Sequence, residues 1–279
     1  MRKSVIAVIV VLTIIGLYAR VVCPWLVDKG FQSDKPFGNF SDLMYFTEDD
    51  KYESKSCCSV PSVYENVIGA GLIIFNIAAP WLRDWRTSWG ASPEEIKRYL
   101  PGDELVPEPN WSYTHAIIIK APQTVVWPWI VQIGQKRGGF YSYQGLENLL
   151  GCQITNVNRP INKFQFMRPT DKVYLHPQAP PLTVRSMRRY YWFVLHGGNL
   201  VGATQATGNE ITANLTWTFY LQKIDNTTTK LITRGRYAYG QGLVNSLNYG
   251  PYLIEPIAFV MERKMLQGIK RRAEKYMRY

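Results

Sequence analysis

ITANLTWTFYLQKI, residues 211–224, alternates apolar and polar side chains along its whole length. Ile211, Ala213, Leu215, Trp217, Phe219 and Leu221 fall on one side. Thr212, Asn214, Thr216, Thr218, Tyr220 and Gln222 fall on the other. A period of two belongs to a β-strand, so the stretch predicts a strand with one buried and one wet face. Asp225–Asn226 turns the chain into a second run, Lys230–Tyr239. Upstream, Lys172–Leu175, Leu182–Met187 and Tyr190–Leu195 are strand candidates joined by short turns, an order that implies an antiparallel sheet.

The flanks add helices. Ser112–Lys120 (SYTHAIIIK) reads as a strand. Ala121–Gln135 reads as a helix with Pro122 at its first position and a kink at Pro128. Gly138–Gly139 breaks the chain, and Phe140–Leu150 reads as a second short helix stopped by Gly151. From about Glu255 the sequence is helical to the end. Ile257, Met261, Met265, Gly268 and Ile269 form its apolar face, and Glu262, Arg263, Lys270, Arg271 and Glu274 its polar face. Ser92, Pro93, Glu94 and Glu95 open a short helix, and Pro101, Gly102, Pro107 and Pro109 end it in a linker. The fold class is therefore α+β, an antiparallel sheet with one long C-terminal helix.

Two apolar runs precede this domain. Val5–Ala19 follows Arg2 and Lys3, and with the segment beyond Arg20 it makes a span of about residues 4–25; the rival reading is a cleaved signal peptide, for which Leu17 and Ala19 make a poor cleavage site and the apolar run is long. Val67–Leu82, extended back to Val63, makes a second of about 63–82, followed by Trp85 and Trp89. The expected organisation is a membrane region at 1–88, a linker helix at 89–104 and the α+β domain at 105–279. Charge is uneven: +3 over residues 1–27, −3 over 28–60, −2 over 61–104 and +13 over 105–279. By the positive-inside rule both ends lie in the cytoplasm and the acidic loop 28–60 lies outside. A basic domain at that face favours an anionic phospholipid surface.

At 46% hydrophobic residues the chain is not of the disordered class. Four cysteines (Cys23, Cys57, Cys58, Cys152) with no CxxC pair exclude a disulfide scaffold and argue against zinc. Cys152 reads as a small buried residue, not a nucleophile. GxSxG, HExxH, Walker and dinucleotide glycine motifs are absent, so no metal and no cofactor is expected. Nucleic acid is not an expected partner, because no recognition motif accompanies the charge.

Three stretches go further: WGASPEE (Trp89–Glu95), LPGDELVPEP (Leu100–Pro109) and APQTVVWPWIVQIGQKRGGFYSYQGLENLLGC (Ala121–Cys152). They resemble the SRPBCC superfamily, the START and polyketide-cyclase-like group, and within it a subgroup with N-terminal membrane segments. The resemblance runs from about Trp89 to Lys270. It implies a helix-grip fold, in which a curved sheet wraps the C-terminal helix around an apolar cavity. The chain departs from the subgroup at Gln153 and Thr155, where an acidic residue and His stand, while Ile154 and Asn156 match, and at Gln144–Gly145 in place of Asp-Trp. A reaction that used the missing His and Asp is not implied here.

RGGFYSY is the leading site candidate: its glycines permit a tight loop that can turn Arg137, Tyr141 and Tyr143 toward a ligand, or can serve packing alone. Glu147 and Asn148 follow on the next helix. Glu147 is a candidate partner for Arg137 or for Arg236, which shares a strand face with Arg234. His115, on the first strand, points either to the cavity or to solvent. His176 sits in a loop, and His196 closes a strand. The expected function is a membrane-anchored binding module for a hydrophobic or amphipathic small molecule, lipid included, in the helix-grip cavity. The alternatives are a cyclase or hydratase acting in the same cavity, and an interaction protein whose cavity its own aromatics fill.

Overall fold

The computed structural model describes residues 60–177, 179–198, 213–242, 245–246 and 249–277. The expected first span and nearly all of the acidic loop, with Cys23, Cys57 and Cys58, lie outside them. The chain divides into two units, one ending at Ala78 and one running from Ala79 to Tyr279. In the first, helix α1 covers Val60–Ala78. It stops before a 3-10 turn at Pro80–Leu82, whose proline cannot continue the ladder, so the helix falls short of the expected Leu82. Among the described residues no single helix is long and apolar enough to cross a membrane. One interrupted pair, Tyr64–Ala78 with Pro80–Thr87, meets that test of length and composition.

The second unit contains α2 (Arg83–Thr87), α3 (Pro93–Lys97), β1 (Trp111–Ile119), α4 (Gln123–Val131), α5 (Gln144–Leu149), β2 (Lys172–Val173), β3 (Leu182–Arg188), β4 (Trp192–Gly198), β5 (Ala213–Lys223), β6 (Thr229–Tyr239) and α6 (Ile254–Tyr276). The six strands form one antiparallel sheet in the order β1-β6-β5-β4-β3-β2. Its order and its long terminal helix fit the helix-grip arrangement.

One face of the sheet packs on α4 and α6. Ile119, Leu231, Phe219, Leu221, Phe193 and Leu195 meet Trp127, Ile130, Leu266, Ile269 and Ala273 in a single dry core. Pro122 caps α4 without a side-chain bond and Pro128 lies inside it. Gly268 lets α6 approach the loop at Tyr141, because a Cβ there would collide with the Tyr141 backbone.

The other face was expected to be wet, and it is not. Residues 89–109 run across it as a strap. Thr216 and Thr218 are buried, with the Thr218 hydroxyl donating to the Pro101 carbonyl at 3.0 Å. Ser92 and Glu95 form the expected capping box, and Glu95 also reaches Lys230 at 2.7 Å. The Arg234 guanidinium pairs with Asp103 at 2.6 Å and donates to the Arg98, Glu95 and Ile96 carbonyls and the Thr114 hydroxyl. The Ala116 N–H donates to the Trp89 carbonyl, which covers the outer edge of β1.

Phe140–Tyr143 is loop instead of helix, and α5 begins only at Gln144. Tyr141 holds a left-handed φ of 59°, and the Asn156 side-chain oxygen accepts from the Phe140 and Tyr141 N–H groups.

Candidate functional site: a buried histidine–glutamate pair beneath the C-terminal helix

The α6 face that enters the core is Glu255, Phe259, Glu262, Leu266, Ile269 and Ala273. Glu262, expected on the polar face, is therefore directed inward, where the sheet meets it with three polar strand residues. His115 Nδ1 lies 3.3 Å from Glu262 Oε2, and both side chains are almost wholly buried. On its other side His115 Nε2 is 2.8 Å from the Arg86 carbonyl oxygen. A carbonyl only accepts, so Nε2 carries a proton. Nδ1 then faces the Glu262 carboxylate within ion-pair distance. Burial pushes the Glu262 carboxyl upward, but His115, with the Thr233 and Tyr113 hydroxyls, outweighs it and holds the group below its ordinary value. Glu262 is thus held toward its carboxylate form beside the imidazole.

Trp217 Nε1 donates to Glu262 Oε1 at 3.2 Å. Tyr113 interacts with Glu262 and with Tyr237; burial, then the Glu262 charge, raises both phenols well above their ordinary value, so both stay protonated donors. Around these polar atoms the walls are aromatic. Trp111 stacks on Tyr237 at 4.2 Å, Tyr113 stacks on His115 at 4.4 Å, and Phe259 meets His115 edge-on at 5.5 Å. Gly235 makes room for the Tyr113 ring, which a Cβ there would strike. Leu215, Trp217 and Tyr239, on the same sheet face, remain partly exposed, whereas Phe219, Leu221 and Leu231 farther along the strands are sealed. Leu215 and Trp217 nevertheless pack against the core, at the end of the sheet that holds the pair.

The structure brings only His115, of the residues expected at the site, to this cluster. Arg137 donates to the Val131 and Phe164 carbonyls and the Met167 sulfur, and stacks over Phe164 at 4.6 Å. Tyr141 is buried, accepts from Gln132 and lies beneath Arg272. Tyr143 is buried with Lys264 above its ring at 5.1 Å. Asn148 clamps the Ile154 backbone through both its amide atoms. Arg236 lies under the strap, donating to the Val106 and Pro107 carbonyls near Asp103. The arginine stripe of β6 is neither solvated nor cavity-lining, because Asp103 and the strap carbonyls take both guanidinium groups.

Glu147 pairs with neither Arg137 nor Arg236, since those guanidinium groups are engaged with carbonyls elsewhere. It is buried, its Oε2 has no hydrogen-bond partner, and burial alone pushes its carboxyl up to about 8. The unfolded group titrates near 4.5. The folded chain therefore binds the extra proton between these values, and its contribution to stability is lost as pH rises through about 8. Glu147→Gln is expected to match the wild type at pH 5 and to exceed it at pH 9 by a few kcal/mol, roughly, in denaturant unfolding. Parallel profiles for the two proteins would contradict this. Burial, and then Glu147, raises the thiol of Cys152, which fits a structural residue.

Glu262 was missed because the α6 face was read from its apolar residues alone. The signal was present as the series 255, 259, 262, 266, 269, 273, whose spacing of three and four carries two acids in line with Phe, Leu, Ile and Ala. Among the described residues no group of three or more His, Cys, Asp or Glu could hold a metal ion.

Fold and site together define an α+β helix-grip domain with a polar cluster inside. No protein-family model matches the chain, and no curated protein matches it in sequence. Similar solved structures include a conserved protein from Geobacillus kaustophilus, 12% identical over 59% of this chain and 96% of that one at a TM-score of 0.33. A protein from Nitrosospira multiformis is 11% identical over 61% and 100%, at 0.36. An aromatase/cyclase from a Streptomyces species is 10% identical over 60% and 95%, at 0.26. Likeness at this level does not establish a family, and the architecture above stands on its own strand order and packing.

Proposed function

We propose that the unit Ala79–Tyr279 is a helix-grip binding module of the SRPBCC kind for a hydrophobic or amphipathic small molecule. The ligand lies between the helix-facing side of the sheet and α6, its polar end toward Tyr113, Tyr237 and the His115–Glu262 pair. The observation that supports this most is the buried, aromatic-walled His115–Glu262 pair beside a stretch of the sheet where Leu215, Trp217 and Tyr239 keep part of their surface exposed. Sites for such ligands are apolar with a few convergent polar groups. The N-terminal apolar runs would hold the module at a membrane, beside a source of apolar ligand, with the basic domain on the cytoplasmic side. Solvent extracts of protein purified in mild detergent, analysed for lipids and metabolites by mass spectrometry, are expected to contain one enriched apolar species. Extracts matching a detergent-only control, with no uptake from lipid vesicles, would count against the reading.

One observation favours a second reading, catalysis of the cyclase or hydratase kind. The pair and its two phenols form an acid–base set that the acid spacing in the sequence did not announce. Turnover lost in Tyr113→Phe with the fold intact would separate it from binding alone. An interaction protein with a filled grip would show packed aromatics along the whole sheet; here Leu215 and Trp217 pack against the core yet keep part of their surface exposed.

A further inference from the structure

The basic excess of the domain lies largely in two stretches, residues 151–192 and the end of the chain from Arg263, and the first gathers along one edge of the sheet. Residues 151–192 carry Arg159, Lys163, Arg168, Lys172, Arg185, Arg188 and Arg189 against a single acid, Asp171, and all seven basic residues are exposed. The fold gathers five of them at the β2–β3 edge. The Thr170 N–H donates to the Val184 carbonyl and the Val184 N–H to the Asp171 carbonyl, both at 2.8 Å, so the segment with Arg168 and Lys172 lies along β3 beside Arg185. Lys172 Nζ donates to the Thr183 hydroxyl across the strands. At the β3–β4 turn Arg188 stacks over Tyr191 at 4.6 Å and over Trp192 at 5.6 Å, and Arg189 stacks over Tyr190 at 4.9 Å.

Exposed aromatics accompany the charges. Phe166 is 80% exposed, and Tyr174 and Tyr191 are exposed as well. An edge strand does need protection from pairing with other chains, and one or two lysines achieve that. Exposed aromatic rings beside them, Phe166 above all, are the opposite of what protection requires. Cationic groups alternating with rings that have an apolar body and a polar tip are the composition of a surface that rests on the head-group layer of an anionic bilayer. The strap covers β1, β6, part of β5 and, at Gly102, Val194 of β4 on the face away from α6, and the β2–β3 edge lies beyond it.

We infer that the β2–β3 edge and the β3–β4 turn form a docking surface for an anionic phospholipid bilayer, separate from the interior ligand site and from the N-terminal apolar runs. The surface orients the domain against the membrane by charge, with Phe166 and Tyr191 entering the head-group layer. It carries the expected affinity for anionic lipid to named residues and holds whether or not the interior binds a ligand.

The test uses the full chain with phosphatidylcholine vesicles, and with vesicles containing phosphatidylglycerol in part. Association that resists salt and occurs on phosphatidylcholine alone reports the N-terminal runs. The docking surface is read as the added, salt-sensitive component on anionic vesicles, and as slowed amide exchange in residues 163–174 and 183–192. Arg185→Ser/Arg188→Ser/Arg189→Ser is expected to lower the anionic component about a hundredfold, at about fivefold per charge. Phe166→Ser is expected to lower it with the charge intact, and high salt to weaken it in the unaltered chain. Equal exchange on both vesicle types would overturn the inference. So would slowing of the same residues by a single-stranded oligonucleotide at concentrations below those at which anionic lipid acts.

Discussion

Arg234→Ala is expected to destabilise the Ala79–Tyr279 unit by about 3–5 kcal/mol. The guanidinium pairs with Asp103 at 2.6 Å and satisfies the carbonyls of Arg98, Glu95 and Ile96. Truncation leaves the buried Asp103 carboxylate with only the Leu100 N–H and the more distant Arg236, and takes a donor from three strap carbonyls, each of which keeps its desolvation cost. The strap would then lift from Thr216 and Thr218 and expose the second face of the sheet. Arg236→Ala removes a neighbouring side chain that is partly exposed, at 17%, and lies 3.7 Å from Asp103, so its expected cost is about 1 kcal/mol. Thermal unfolding of the two variants distinguishes them. Similar midpoints would mean that the strap is not held by Arg234.

Glu262→Ala is the second. It leaves the His115 imidazole facing an empty, desolvated position and removes the acceptor for Trp217, at a cost of about 3–5 kcal/mol near neutral pH. His115→Leu/Glu262→Leu is expected to recover most of that stability, because a buried pair replaced by packed apolar groups is often neutral or better. The double variant should nevertheless lose the bound ligand's polar contacts. A double variant that is stable and still retains ligand as the wild type does would mean that the pair has no part in binding. Denaturant unfolding and ligand retention on the same preparations read both effects.

Much of the fold was legible. The alternation from Ala213 to Leu221 gave β5 its correct face, and the capping box at Ser92 opened α3 where expected. What failed did so for tertiary reasons. The polar side of β5 is buried because a strap more than a hundred residues upstream in the chain covers it, and no local period contains that fact. Phe140–Tyr143 left the helix because Asn156 captures two of its N–H groups and Gly268 admits the Tyr141 backbone. The site was less legible. The RGGFYSY loop is distinctive in sequence, yet its Arg137 and Tyr141 are engaged within the fold. His115 was visible as a candidate, but its partner Glu262 is 147 positions away on a face judged by its apolar members. Only packing α6 on β1 brings the two together.

The central claim is that the interior beside His115 and Glu262 holds one apolar small molecule. A non-denaturing mass spectrum of the full chain, released from mild detergent, tests it most directly. The expected result is a single added mass at one copy per chain, lost on denaturation and lost in His115→Leu/Glu262→Leu. A spectrum showing only the bare chain, from protein that also takes up nothing when incubated with lipid vesicles, would contradict it.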